Sequence, residues 1–344
     1  MNSTERDIIL PTRLCGLGCV IIVLAGQSVF AGEVALQDTN IPPYGLDKTI
    51  SLGRQVVLQD SKLLVAFDRR SGALTRLEDR TTHWDIERRP TLGISFRLFA
   101  PLPNRNYNPV FGQAQRATEV KELSDHEIRI QWKNLISKNG GVLPMTLTSA
   151  VTLTNGVLTF NAMLENDSPL MVDTIDYPYF GDLKPPTRHA PLDIRVMRNG
   201  DPDNLWTTEI YPHFNNEHGY WGDFFPLKTR EAEQSLFCLI QSPDEGLYEG
   251  MDVSKAPYRM QYTLELRPGV VSSVSNLVPE EDGISGIPVH LEFRTCHFIF
   301  LKPHSTVKLA PIVMRCYQGD WHAGVALYKE WRSFAALKSS NPSQ

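Results

Sequence analysis

Most sequence signatures that announce an enzyme are missing here. There is no Gly-rich phosphate loop, no Gly-x-Ser-x-Gly elbow and no Cys-x-x-Cys pair. P-loop nucleotide chemistry, the hydrolase nucleophile elbow and dithiol redox chemistry therefore lack their defining geometry. Basic charge is in deficit: 34 Lys and Arg stand against 39 Asp and Glu, a net charge of −5. Such a balance gives no footing to nucleic-acid binding. Cysteine is scarce, with only Cys238, Cys296 and Cys316 beyond the first 31 residues. Three cysteines permit at most one disulfide in an exported chain, and their apolar strand-like surroundings favour small buried hydrophobes. Tight His, Asp and Glu sets at metal spacing are lacking too. His213 and His218 are five apart, Asp201 and Asp203 read as solvated turn residues, and His290 and His297 read as satisfied sheet residues. No metal or other cofactor is expected.

Long apolar runs and helical periodicity are equally rare. The run at 14–25 is too short to span a membrane comfortably. Arg6 and Arg13 flank its start, and Val29 and Ala31 place small residues before a cleavage site. Residues 1–31 therefore read as a secretory signal peptide, with a secreted or periplasmic product. Residues 32–50, with Pro42-Pro43, read as an extended leader.

What the chain has in quantity is strand and turn. Runs at 63–67 and 73–77 flank Asp68-Arg69-Arg70-Ser71-Gly72, where Gly72 is free to take positive φ. Runs at 145–153 and 157–164 flank Thr154-Asn155-Gly156, the strongest short hairpin signal in the sequence. Further strands are predicted at 92–99, 128–132, 172–177, 194–197, 236–240, 247–251, 260–266, 289–300 and 307–314, with loops at 101–115 and 199–228. Many short strands and almost no helix predict an all-β, two-sheet architecture over 51–318. Only at 319–337 does the period change: Asp320 can cap a helix whose apolar positions include Trp321, Leu327, Tyr328, Trp331 and Phe334. Residues 338–344 read as a disordered tail.

The densest set of functional side chains is at 206–225. Aromatic faces stack on the C–H faces of sugars, and amides and carboxylates bond hydroxyls. Trp206, Tyr211, His213, Asn215, Tyr220 and Trp221 are the predicted carbohydrate contacts. Ring-opening chemistry needs an acid and a base, and His218 or His213 with Glu209, Glu217 or Asp223 supplies the types. Of these, His218, Glu217 and Asp223 are the catalytic candidates. A lyase would draw instead on Asn215, His218 and Tyr220. The competing reading is that these aromatics only pin a long loop to a sheet.

Three stretches together resemble a known family. They are the closing Tyr317-x-Gly319-Asp320-Trp321-His322 followed by Tyr328, Glu330 and Trp331, the opening hairpin at 63–84, and LFCLIQSPDEGLYEGMDVS at 236–254. The chain resembles the front end of large secreted bacterial glycoside-hydrolase-like proteins, in which a galactose-mutarotase-like β-supersandwich precedes a catalytic TIM barrel. The resemblance implies a β-supersandwich with a C-terminal α-helix. No barrel sequence follows Gln344, so it further implies carbohydrate association without turnover by this chain. Oligo- or polysaccharide is the expected ligand, and a barrel on another chain, docking near Trp331 and Phe334, is the expected partner. A mutarotase-like epimerase, a polysaccharide lyase and a structural or protein-interaction domain stand as alternatives.

Overall fold

The computed structural model describes residues 53–187, 190–198, 200–211, 222–227, 235–251, 258–267 and 290–340; residues 211, 222–227, 266–267 and 333–340 are described as backbone alone. The predicted signal peptide and leader lie outside these residues. With strands numbered in chain order, the first sheet is a meander of β1 (Gln55–Gln59), β2 (Leu63–Asp68), β3 (Leu74–Asp79) and β4 (Trp84–Glu87). A six-stranded sheet runs β14 (Gly222–Leu227), β17 (Arg259–Arg267), β18 (His290–Phe298), β11 (Thr174–Phe180), β5 (Arg97–Phe99), β6 (Pro109–Phe111).

The largest sheet has ten strands. Its path runs β13 (Asp201–Tyr211), β12 (Leu192–Arg198), β15 (Phe237–Ser242), β16 (Glu245–Met251), β20 (Ile312–Gln318), β10 (Val157–Asn166), β9 (Gly141–Thr154), β8 (Glu127–Ser137), β7 (Glu119–Ser124). β19 (Ser305–Lys308) also pairs with β10. The chain is therefore all-β, a β-supersandwich closed by one helix, α1 (Trp321–Ser340).

Local chemistry explains the two hairpins at its centre. Asn155 and Gly156 take φ of 53° and 76°, the pair of positive values a two-residue turn requires, and Thr154 faces Val157. Asp60 Oδ2 accepts a hydrogen bond from Gly156 N at 2.6 Å, tying this turn to the first sheet. At the β2–β3 turn the Asp68 carboxylate accepts from Arg70 N (3.1 Å), Ser71 N (2.8 Å) and Ser71 Oγ (2.8 Å). Gly72 follows at φ 70°, where a Cβ would fall 2.4 Å from Trp132 Cζ2. The Trp132 indole donates to Ser71 O at 2.7 Å, so the same turn is fastened to β8.

Period-two alternation builds the interior. Leu147, Val151 and Leu153 of β9 and Leu158, Phe160 and Leu164 of β10 share one buried core with Ile175 of β11, Tyr262 and Leu264 of β17, and Leu291 and Phe293 of β18. The Phe160 and Tyr177 rings meet edge to face at 5.9 Å across the two larger sheets. Each such side chain contributes about 1.5–3 kcal/mol on burial. Cys238, Cys296 and Cys316 all lie inside strands and are free thiols.

Four expectations need correction. The region at 199–228 is not a single loop: β13 and β14 occupy much of it, and they join different sheets. The polar start Asp201–Asn204 masked a strand whose Trp206-Thr207-Thr208 segment has high β preference. The predicted strand at 92–99 shrinks to β5: Leu92 ends a 3-10 turn over Pro90–Leu92, and Ile94 makes only an isolated bridge to Leu74. The predicted loop at 101–115 holds β6. The helix begins at Trp321 and runs to Ser340, three residues past its predicted end. Asp320 does cap it, with Oδ1 accepting from His322 N at 3.0 Å. Val325 and Tyr328 are buried against Phe237, Leu239, Tyr248 and Tyr317, while Trp321, Leu327 and Trp331 are partly buried there.

Candidate functional site

The second face of the six-stranded sheet is charged. Along β18, Leu291 and Phe293 point to the core, so His290, Glu292, Arg294 and Cys296 share the other face. On β17 that face carries Thr263 and Glu265, which lie opposite Arg294 and Glu292. On β5 it carries Arg97 and Phe99, two residues apart. β11 supplies Asp176 and Tyr179. Three residues apart, these would normally point to opposite faces. An irregularity intervenes: Asp176 pairs with Cys296 and Tyr179 with Arg294, so three steps on β11 match two on β18. The extra residue brings both side chains to the same face.

These side chains form one buried network. Arg97 Nε donates to Asp176 Oδ2 at 2.8 Å, and Arg294 Nε lies 3.3 Å from the same oxygen. Arg294 Nη1 donates to Glu265 Oε2 at 2.9 Å and to Tyr179 Oη at 3.4 Å, and stands 3.8 Å from Glu292 Oε2. The Tyr179 hydroxyl donates in turn to Glu292 Oε2. His290 Nε2 is 3.6 Å from Glu292 Oε1. Both guanidiniums lie over the Tyr179 ring, at 5.7 Å for Arg97 and 5.3 Å for Arg294.

Three carboxylates thus surround two guanidiniums out of water. Burial works against the charge on Arg97, but the Asp176, Glu265 and Glu292 carboxylates outweigh it and hold the guanidinium well above its usual range. Burial holds the Tyr179 phenol well above its ordinary value, with Arg294 and Arg97 opposing and Glu292 and Glu265 reinforcing. Tyr179 therefore stays protonated and acts as a donor.

The residues predicted from sequence fall elsewhere. Trp206 is on β13 of the ten-stranded sheet, 48% exposed, with Arg198 Cζ 4.4 Å over its ring. Glu209 pairs opposite Asp193, and Tyr211 ends β13 opposite Leu192. Asp223 belongs to β14, opposite Thr263, so its backbone is in the six-stranded sheet. Trp206 and Asp223 are thus in different sheets rather than one loop. His213, Asn215, Asn216, Glu217, His218, Tyr220 and Trp221 lie outside the described residues. Phe334 is described in backbone alone. Among the described residues, no three His, Cys, Asp or Glu side chains converge as metal ligands.

Sequence reasoning missed Arg97, Asp176, Tyr179, Glu265, Glu292 and Arg294, and read His290 as an ordinary sheet residue. The available signal was the alternation His-x-Glu-x-Arg, with Leu291 and Phe293 between the charged residues.

No family model matches this sequence, and no curated protein matches it. Similar solved structures are a galactose mutarotase-like protein from Lactobacillus casei (12% identity, 77% of this chain and 100% of that one, TM-score 0.49) and an aldose epimerase homologue from C. elegans (10%, 78% and 99%, 0.46). An alpha-galactosidase from Lactobacillus brevis is similar over 79% of this chain and 41% of its own length, at 10% identity and TM-score 0.44. At these identities and scores the likenesses concern chain architecture and say nothing of chemistry.

Proposed function

We propose that this chain is an exported, carbohydrate-associated β-supersandwich domain of a glycoside-hydrolase-like protein, binding sugar without turning it over by itself. The observation that carries this reading is the Arg97–Asp176–Arg294–Glu265 network with Tyr179 and Glu292 on one sheet face. It offers fixed donors and acceptors of the kinds that grip hydroxyls. Its carboxylates are engaged by guanidinium or phenol donors, an arrangement that holds geometry rather than freeing a proton carrier. A catalytic barrel on another chain would dock near Trp331 and Phe334. Supporting that placement, a cavity of about 230 Å³ opens beside Leu327, Glu330 and Trp331. The test is a binding and turnover screen of the purified chain against oligo- and polysaccharides. Binding with no released reducing ends is expected, and hydrolysis abolished by Glu265→Gln would refute it. For export, N-terminal sequencing should find Gly32 first.

A second reading, a mutarotase-like epimerase, is favoured by the Tyr179–Glu292–His290 chain of phenol, carboxylate and imidazole. Polarimetry of freshly dissolved α-galactose and α-glucose separates the two. Acceleration lost in Glu292→Gln would establish this second reading in place of the first.

A further inference from the structure

Arg97 joins the buried network to the surface. Its guanidinium lies between two rings, with Cζ 5.7 Å from the Tyr179 centroid and 5.3 Å from that of Phe99. The Phe99 ring meets Tyr107 at 5.8 Å, and Lys138 Nζ stands 5.6 Å from the Tyr107 centroid. Cations and rings therefore alternate in a continuous strip from Arg294 outward. Exposure rises along it as far as Tyr107 and falls again at its end: Tyr179 is buried, the Arg97 side chain is 11% exposed, Tyr107 is 47% exposed, and Lys138 is buried. Arg97 uses Nε for Asp176, and among the described residues no hydrogen bond reaches its Nη1 or Nη2.

The outer end of the strip is held in place. Asn139 Nδ2 donates to Tyr107 O at 2.9 Å, Asn139 N donates to Asn108 Oδ1 at 2.9 Å, and Asn108 Nδ2 donates to Ala100 O at 2.8 Å. The flat apolar face of a half-exposed tyrosine on a fixed backbone matches a pyranose ring. The Nη edge of Arg97 forms a two-donor fork that can hold a pair of ligand oxygens. Charge decides which oxygens. Beside the Arg97 fork lie three carboxylates, Asp176, Glu265 and Glu292, against Arg294, with Lys138 farther out beyond the Phe99 and Tyr107 rings, so a ligand carboxylate at the fork would meet net repulsion while a vicinal diol would not.

Resting on the carbohydrate reading above, we infer that Tyr107, Phe99 and Arg97 form the entrance subsite for a neutral sugar, with one pyranose ring stacked on Tyr107 and its hydroxyls directed to the Arg97 fork. An array of neutral and uronate-bearing oligosaccharides, followed by calorimetry on the hits, tests this with the full chain. Neutral glycans should be retained in preference to uronate-bearing ones. Tyr107→Ala should weaken that binding by about ten-fold or more, and Tyr107→Phe, which keeps the ring, should bind like the parent. Thermal melts should be alike for all three proteins, because Tyr107 is half exposed. Neutral glycans bound equally by Tyr107→Ala would overturn the subsite and leave the carbohydrate reading standing. So would a preference for uronate-bearing glycans. Retention of no glycan would overturn both.

Discussion

Replacing Glu249 with Gln should make the protein more stable at neutral pH, by an amount that grows with pH. Glu249 sits on β16 inside the sandwich, fully buried. Its Oε1 accepts from the Thr295 hydroxyl of β18 across the two large sheets, and Oε2 has no hydrogen-bond partner among the described residues. Burial, with Thr295 in partial opposition, pushes this carboxyl from 4.5 up to about 8. Between those two values the folded protein holds a proton that the unfolded chain has released. Raising the pH therefore favours unfolding, and the stability present below pH 4.5 is lost as pH rises toward 8. At about 1.4 kcal/mol per pH unit, the loss is roughly 3 kcal/mol by pH 7 and near 5 kcal/mol by pH 8. Gln cannot titrate, so its advantage should follow the same curve. His297 works in the opposite sense: burial lowers it from 6.5 to about 4, so its contribution is complete above pH 6.5 and lost as pH falls toward 4. That slope is common to both proteins and cancels in their difference. Urea unfolding of parent and Glu249→Gln at pH 5, 6, 7 and 8 supplies the measurement. Parallel pH profiles would show that Glu249 is ionised in the fold, and the argument would fail.

Asp320→Ala removes the α1 cap and should cost about 1 kcal/mol in urea unfolding, with helical ellipticity falling slightly. Gly156→Ala places a Cβ 2.6 Å from Lys62 Cδ at φ 76°, so it should destabilise by more than about 1 kcal/mol. Arg294→Met removes a buried cation from Glu265 and Asp176, an expected loss of about 3–5 kcal/mol. Adding Glu265→Gln should recover part of that loss, and strict additivity in a double-mutant cycle would show that the pair is not coupled.

How far the fold could be read depended on how local its causes are. The β2–β3 and β9–β10 turns and the Asp320 cap each rest on residues within a few positions of one another, and each was legible. β7 was not, because its residues are mostly exposed or half-buried and nothing in the segment alternates toward a core. β13 was hidden by a polar start, and β1 and β4 by their brevity.

The candidate site was illegible for a different reason. Alternation along β18 does reveal two faces, one apolar and one carrying His290, Glu292 and Arg294. The ordinary rule for an antiparallel sheet then sends the charged face to solvent, whereas Glu265, Glu292 and Arg294 are buried. Their burial is tolerated because partners arrive from β5, β11 and β17, with Arg97 and Arg294 meeting on Asp176 from opposite ends of the domain sequence. The irregularity at Asp176–Tyr179 that turns two side chains to one face falls at Pro178, and a proline inside a strand is the one local mark the sequence offers for it. A charged residue alone in a strand points outward by default. Three in alternation on a strand whose other face opens with Leu291 and Phe293 pose a sharper question, because a buried charge needs a partner of opposite sign. The matching charges stood in plain view at Arg97, Asp176 and Glu265, each on the polar beat of its own strand. What joins them is sheet order, β17-β18-β11-β5, and that order is set by the packing of the whole domain rather than by any segment within it.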